Sequence, residues 1–167
     1  MNKIGIFYGS TGGSTMAIVE EIEFNLKNKD YQVINVKDGI KEISNFSNLI
    51  LVTPTYGVGE LQDDWNNQIS ELKKIDFTNK TIGIVGLGNQ RAFGESFVSG
   101  MRILYDIIQE KGGKIVSPTS ILGYSYQDTQ AIENNKFIGL VLDETNQEDQ
   151  TPERIQNWIN DILKYFS

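Results

Sequence analysis

The sequence predicts an α/β protein in which a doubly wound parallel sheet carries helices on both faces. Short runs of β-branched and aromatic residues alternate with longer stretches in which apolar residues recur every three or four positions. Runs that are apolar on both faces are typical of parallel strands covered by helices, and strand–helix alternation is typical of the doubly wound class. The 167 residues show no repeat or proline-rich linker, so we expect one domain over residues 1–167.

Each predicted element follows from its own pattern. The continuous apolar runs predict five strands, at residues 4–8, 33–36, 49–53, 82–86 and 137–142. Apolar stripes with helical spacing predict four helices, which contain in order Ile18, Ile22 and Leu26; Trp65, Ile69 and Leu72; Phe97, Met101, Leu104 and Ile108; and Ile155, Trp158, Ile159 and Ile162. Gly112 and Gly113 are expected to end the third helix, and Thr151 is expected to cap the last helix, ahead of Pro152.

The composition removes several classes of chemistry. The chain has no cysteine and no histidine, which excludes disulfides, iron–sulfur clusters, thiol nucleophiles, imidazole metal sites and histidine-based triads. The remaining chemistry must come from carboxylates, hydroxyls, the backbone or a bound cofactor. We expect no metal and no catalytic residue. The net charge of −7 argues against nucleic acid or an anionic membrane as partner. No signal peptide or bilayer-length apolar run is visible, and we expect a cytoplasmic protein.

The loop after the first strand, residues 9–15, is rich in glycine and hydroxyl side chains. Such a loop at a helix N-terminus offers backbone N–H groups, hydroxyl donors and the positive end of the helix dipole, which suit a phosphate. It holds no lysine or arginine and lacks the G-x-G-x-x-G spacing, which disfavours a nucleotide P-loop or a dinucleotide fold. The alternative is an ordinary strand-to-helix turn capped by hydroxyls.

The loops after the third and fourth strands each place one aromatic residue among glycines. Tyr56 lies in the first of them and Phe93 in the second. In doubly wound sheets, ligands bind beyond the carboxyl ends of the strands, so these loops should converge on one site. Two aromatic side chains there could hold a flat ring by stacking. The alternative is that both residues pack against the end of the sheet.

Several segments together resemble long-chain flavodoxins over essentially the whole chain. They are residues 3–9, residues 54–56 with 59–62 and Trp65, residues 86–90, and residues 136–144 with Asn146 and Gln147. The resemblance implies a five-stranded sheet in the order 2-1-3-4-5, with an extra loop near residues 119–136 that splits the fifth strand. It also implies non-covalent FMN and low-potential, one-electron transfer between redox enzymes.

The resemblance also implies which residues bind FMN. The phosphate would be held by Ser10, Thr11, Gly12, Gly13, Ser14 and Thr15. The isoalloxazine would be bordered by Pro54, Thr55, Tyr56, Gly57, Val58 and Gly59 on one side and by Leu87, Gly88, Asn89, Phe93 and Gly94 on the other. The sequence departs from the common family pattern at Gly12 (usually a hydroxyl residue), Tyr56 (tryptophan), Asn89 (aspartate) and Phe93 (tyrosine).

Acidic residues cluster near the predicted site in sequence. They are Glu60, Asp63, Asp64, Glu95, Glu144, Glu148 and Asp149. As a set they would form a negative rim that steers encounters with a basic-faced reductase and with a low-potential acceptor enzyme. Acids near helix N-termini are also favourable for the helices themselves, which is the alternative explanation. We expect a monomer.

Two other functions compete with electron carriage. An FMN-dependent enzyme on the same fold, such as a quinone reductase, would need a second pocket above the flavin, and a close stacking pair leaves little room for it. A phosphorylation-controlled receiver domain needs an aspartate at the end of the third strand and acids after the first. Thr53, Pro54, Gly9 and Ser10 occupy those places. We therefore expect a carrier and not an enzyme.

Overall fold

A computed structural model describes residues 1–10, 13–56 and 58–167, with the backbone alone at Tyr56. Thr11, Gly12 and Gly57, which belong to the predicted cofactor site, lie outside the described residues. The strands are β1 (Ile4–Tyr8), β2 (Tyr31–Asn35), β3 (Asn48–Tyr56), β4 (Glu60–Leu61), β5 (Thr81–Leu87), β6 (Lys114–Ile115), β7 (Thr119–Ser120), β8 (Ile132–Glu133), β9 (Lys136–Phe137) and β10 (Leu140–Leu142).

Among the described residues, five α-helices connect or follow these strands. They are α1 (Ser14–Asn25), α2 (Asp63–Asn67), α3 (Ile69–Leu72), α4 (Gly100–Glu110) and α5 (Thr151–Ile162). Short 3-10 helices lie at Val36–Asp38, Lys41–Asn45 and Glu148–Gln150. Within the described ranges, no helix combines the length and the apolar character that a membrane span requires.

In the described part of the chain the main sheet has seven strands, with a parallel path β2-β1-β3-β5-β10 to which β4 (beside β3) and β6 (beside β5) are added. Counted along the chain as five main strands, this is the order 2-1-3-4-5 that the resemblance implies, and the predicted doubly wound class is confirmed. β6 pairs with β5 at Thr81 and Ile82, whereas β10 pairs with it from Val85 to Leu87. The segment between β6 and β10 carries a small antiparallel sheet in the order β7-β9-β8.

Two hydrophobic clusters cover the two faces of the main sheet. Ile4 and Ile6 of β1 pack in the cluster that contains residues of α1 and α5, whereas Phe7 packs in the cluster with residues of α4. Successive side chains of a strand point to opposite faces, so an apolar run is needed when both faces are covered. This two-sided burial explains why the strands are continuous apolar runs in the sequence.

The prediction of one strand over residues 137–142 is wrong. Phe137 ends β9 in the small sheet, where its ring meets Phe97, Tyr124 and Tyr126 at centroid distances of 5.0–6.2 Å. The main-sheet strand β10 begins only at Leu140. A Cβ on Gly139 would lie 2.0 Å from the carbonyl oxygen of Ile84, so the chain passes too close to β5 there for a side chain. The apolar run at residues 137–142 therefore contributes residues to two different sheets.

Three helix predictions also need correction. The second helical stretch is broken into α2 and α3 at Gln68. Phe97 precedes α4 and packs in the aromatic group described above. Thr151 is the first residue of α5, not its cap, and its hydroxyl donates to the carboxylate of Glu144. The predicted end of α4 is confirmed, because the helix stops at Glu110 and Gly112 adopts a φ of +87°.

Candidate functional site

The candidate site lies at the carboxyl ends of the parallel strands. The chain leaves β1 toward β2 on one side and later adds β3 on the other side, so the strand order reverses beside β1. Ligands of doubly wound sheets bind at this kind of switch point. The loops that follow β1, β3 and β5 all emerge at this edge, as the sequence analysis predicts.

The loop after β1 ends at the N-terminus of α1. Gly13 precedes the helix with a φ of +84°, a left-handed conformation that glycine adopts without strain, and α1 has neither a side-chain cap nor an acid in its first turn. Thr15 is fully buried and Ser10 is partly buried. The buried hydroxyl oxygens of both residues find no hydrogen-bond partner among the described residues. The loop after β1 and the first turn of α1 therefore carry two hydroxyls without a partner in the described part of the chain, beside the N–H donors that a helix N-terminus leaves free.

The loop after β3 turns back on itself. Tyr56 pairs with Glu60 in an antiparallel ladder between β3 and β4, and Gly59 has a φ of +76°. The side chain of Val58, at the tip, is 79% exposed. The hydroxyl oxygen of Thr55 already has a hydrogen-bond partner, because it accepts from the backbone N of Gly100 at 3.0 Å. That bond fixes the start of α4 to the base of the loop.

The loop after β5 is organised around Asn89. Its Oδ1 accepts from the backbone N of Arg91 at 3.2 Å and of Ala92 at 2.9 Å. Phe93 donates its backbone N–H to the carbonyl of Asn89 at 2.9 Å, and its side chain is 46% exposed. Gly88 donates its N–H to the carbonyl of Leu142, at the end of β10. The side chain of Asn89 therefore shapes the loop.

The loops after β3 and β5 meet at a cleft of about 340 Å³. Val58 lines it from one loop and residues 90–96, including Phe93, line it from the other. Ser125 and Gln127 complete the lining from the segment between β6 and β10. The structure thus brings Val58, Phe93 and Gly94 of the predicted set together, while Leu87 is a buried residue at the end of β5.

A buried carboxylate, that of Asp143, bonds Gln90, which lines this cleft. Asp143 directly follows β10 and is 0% exposed. Its Oδ2 accepts from the backbone N (3.0 Å) and Nε2 (2.8 Å) of Gln90 and from Nδ2 of Asn146 (2.8 Å). Its Oδ1 accepts from the backbone N of Thr145 (3.2 Å) and of Asn146 (3.0 Å). Burial alone raises the pKa of Asp143, but the bonds from Asn146 and Gln90 outweigh it and lower the pKa below its ordinary value of 3.8.

Sequence reasoning missed Gln90, Asp143, Ser125 and Gln127 as residues of the site. One signal was available for Asp143, because it follows an apolar strand run at the same edge of the sheet as the predicted loops. Ser125 and Gln127 carry no such signal, since nothing in the sequence places the segment between β6 and β10 beside the loop after β5.

The predicted acidic residues lie around this edge. Glu60, Asp63, Glu95, Glu148 and Asp149 are exposed, whereas Asp64 and Glu144 are partly buried. Glu95 lines the cleft itself. Groups of three or more carboxylates that could hold a metal ion do not occur among the described residues.

Comparison with known proteins gives a consistent result. The family model described as Flavodoxin matches residues 6–158. The flavodoxin of Helicobacter pylori is 42% identical over 168 aligned positions that span all of both chains. The crystal structure of Fusobacterium nucleatum flavodoxin bound to flavin mononucleotide is 58% identical, covers all of both chains and superimposes with a TM-score of 0.99. Oxidised Flavodoxin 1 from Bacillus cereus, at 20% identity and a TM-score of 0.74, supports the fold alone.

The topology and the cleft define a doubly wound α/β protein with a candidate ligand site at the carboxyl edge of the sheet. Within that class the family is shown by sequence, since the family model spans most of the chain and the curated relatives match it end to end. The chain belongs to the flavodoxin family.

Proposed function

We propose that this protein binds FMN non-covalently and carries single electrons at low potential between redox proteins. The proposal rests on family membership and on one observation of this structure. The hydroxyl oxygens of Ser10, which follows β1, and of Thr15, in the first turn of α1, are buried and have no hydrogen-bond partner among the described residues. A buried hydroxyl without a partner costs free energy, so two of them at one helix end point to a ligand that accepts hydrogen bonds.

The FMN phosphate fits this position. Residues 10–15 would hold it through the two hydroxyls, Ser14 and the backbone N–H groups that start α1, with Gly13 providing the turn. These donors are neutral, so they bind the phosphate without cancelling its charge. Thr11 and Gly12 belong to the same proposed set.

The isoalloxazine fits the cleft between the loops after β3 and β5. Pro54, Thr55, Tyr56, Gly57, Val58 and Gly59 would border one side, and Leu87, Gly88, Asn89, Phe93 and Gly94 the other. FMN supplies the reversible uptake of electrons that no side chain of this protein provides. The protein's part is to orient the ring, to exclude water through Val58 and Phe93, and to surround it with negative charge.

Wild-type protein tests the proposal directly. The apoprotein should take up one FMN, with quenching of flavin fluorescence, and a reductive titration of the complex should resolve two one-electron steps, the second at low potential. Failure to bind FMN at micromolar concentration would contradict the proposal. Steady NADH oxidation with a quinone, in the absence of any reductase, would favour the enzyme alternative.

The partners proposed are a basic-faced reductase and a low-potential acceptor enzyme. The support is the net charge of −7 and the exposed acids at the site edge. Attraction between opposite charges accelerates encounter and weakens as salt shortens the Debye length. The transfer rate to a basic partner should fall several-fold between low and physiological ionic strength, and a rate that does not depend on salt would contradict steering. A monomeric state and a cytoplasmic location belong to the same proposal.

A further inference from the structure

The segment between β6 and β10 forms one wall of the cleft and is bonded to the chain between β5 and α4 at several points, of which Gln90 and Gly94 lie at the cleft. The Oε1 of Gln90 accepts from the backbone N of Ser125 at 2.5 Å. The carbonyl of Gly94 accepts from the backbone N of Gln127 at 2.7 Å and of Asp128 at 2.9 Å. Ser125 and Gln127 are the residues with which this segment lines the cleft. The backbone of these two lining residues is therefore held directly by Gln90 and Gly94, while Tyr124 and Tyr126 beside them pack against Phe97.

Gln90 is fixed in position by two hydrogen bonds to Asp143. The same carboxylate oxygen accepts from the backbone N and from the side-chain Nε2 of Gln90. With Nε2 bound, the amide has one orientation, and its Oε1 is turned toward Ser125. Gln90 is 4% exposed, so water offers little competition for these bonds.

A second connection runs through Asn146. Its Nδ2 donates to Asp143 at 2.8 Å and to Oδ1 of Asn89 at 2.9 Å. Asn89 is the residue whose side chain shapes the turn that leads to Phe93. The carboxylate of Asp143 is therefore connected to the loop after β5 in two ways. It bonds Gln90 directly, and it bonds Asn89 through Asn146.

Within the described chain, all five groups that bond the carboxylate of Asp143 are N–H donors. Only a carboxylate can accept from all of them, because an asparagine would direct its own N–H groups at some of these donors. A buried donor left unpaired is costly, and the loop would move to pair it elsewhere. The charge state of this side chain is therefore required by the geometry.

We propose that Asp143 is a positioning residue for the flavin cleft, which it shapes by orienting Gln90 and, through Gln90, the wall that contains Ser125. The inference rests on the proposed function, since it concerns how this chain holds the isoalloxazine. It predicts that Asp143 and Gln90 affect how tightly the isoalloxazine binds and do not affect how tightly the phosphate binds.

The test compares binding of FMN and of riboflavin, which lacks the phosphate, to apoprotein variants by quenching of flavin fluorescence. Asp143→Asn should raise the Kd of both ligands by the same factor, about tenfold, the loss expected for a broken hydrogen bond to a charged group. Gln90→Leu should act in the same direction, and the double variant should bind no more weakly than the weaker single variant, because both substitutions break the same connection.

Asp161→Asn provides the matched control, since Asp161 is partly exposed on α5 and pairs only with Lys164 at 3.9 Å among the ion pairs of the described chain. Its Kd values should stay within twofold of wild type. Urea unfolding of each apoprotein separates stability from binding. Wild-type riboflavin affinity in Asp143→Asn, with a lowered unfolding midpoint, would assign the residue a purely structural role and overturn the inference.

Gln90→Leu keeps the inference testable if Asp143→Asn does not fold. Wild-type affinity of Gln90→Leu for riboflavin would overturn it equally. A wild-type protein that binds no flavin would instead refute the proposed function, and this inference with it.

Discussion

Replacing Thr15 by valine should stabilise the flavin-free protein and weaken FMN binding. Thr15 is 0% exposed and its hydroxyl has no partner among the described residues. Valine has nearly the same shape without the unpaired polar group, so the apoprotein should gain up to about 1 kcal/mol in its free energy of unfolding. For a chain of this length, that gain raises Tm by roughly 2–4 °C. A side chain that weakens the empty fold and strengthens the complex is typical of a binding site.

The loss in FMN affinity follows from the bond that the hydroxyl would make. A hydrogen bond to a charged phosphate contributes about 1.5–3 kcal/mol, so Kd should rise roughly 10- to 150-fold. Riboflavin, which has no phosphate, should bind the variant with unchanged affinity. The assays are urea unfolding of the apoprotein and fluorescence titration with each flavin.

Thr53→Val is the matched control for the stability measurement. Thr53 is equally buried, but its hydroxyl donates to the carbonyl of Pro54 at 3.0 Å. Its replacement should therefore lower the free energy of unfolding by about 1 kcal/mol. If Thr15→Val also destabilises the apoprotein and leaves FMN affinity unchanged, the hydroxyl does not face a phosphate, and the simpler explanation of a capped strand-to-helix turn stands.

Three further predictions concern stability. Because the folded pKa of Asp143 is lowered, its charge stabilises the fold above pH 3.8; the difference in urea midpoint between wild type and Asp143→Asn should be constant near neutrality and shrink as the pH falls below that value. Asn48→Leu should cost about 2–4 kcal/mol in urea unfolding, since the fully buried amide bonds the carbonyls of Asn2 and Ser167 at 3.2 and 2.9 Å; a loss below 1 kcal/mol would contradict this. Gly83→Ala should cost about 1–3 kcal/mol by calorimetry, because its Cβ would lie 2.2 Å from Cδ1 of Ile162, and a neutral result would mean that this face of the sheet repacks freely.

The sheet could be predicted because its determinants are local in sequence. The first strand was predicted over residues 4–8 and is observed as Ile4–Tyr8. Burial on both faces demands an apolar residue at almost every position, which leaves an unbroken run that periodicity detects. Because the main strands are parallel, their carboxyl ends meet at one edge, so the loops after β1, β3 and β5 were predictable as neighbours.

The supporting network could not be predicted because its partners are distant in sequence. Gln90 and Asp143 are separated by 53 positions, and a glutamine in a glycine-containing loop looks like an ordinary surface residue. The break within residues 137–142 is equally hidden, since its cause is the close approach of Gly139 to β5. Phe97 has helical spacing from Met101, yet it packs in an aromatic group that the segment between β6 and β10 assembles.

At this edge of the sheet, neutral N–H donors and not cations stabilise negative charge, and this bears on the proposed electron transfer. The carboxylate of Asp143 is stabilised by five N–H donors, and residues 9–15 contain no lysine or arginine to neutralise a phosphate. Dipoles stabilise a negative charge without cancelling it at a distance, so Asp143 keeps its negative potential toward the cleft, and a bound phosphate would add to it. Arg91 is the cationic residue that lines the cleft, and its exposure lets water and salt screen it. If FMN binds there, an added electron enters a region that is already negative, which lowers its reduction potential and favours donation to an acceptor.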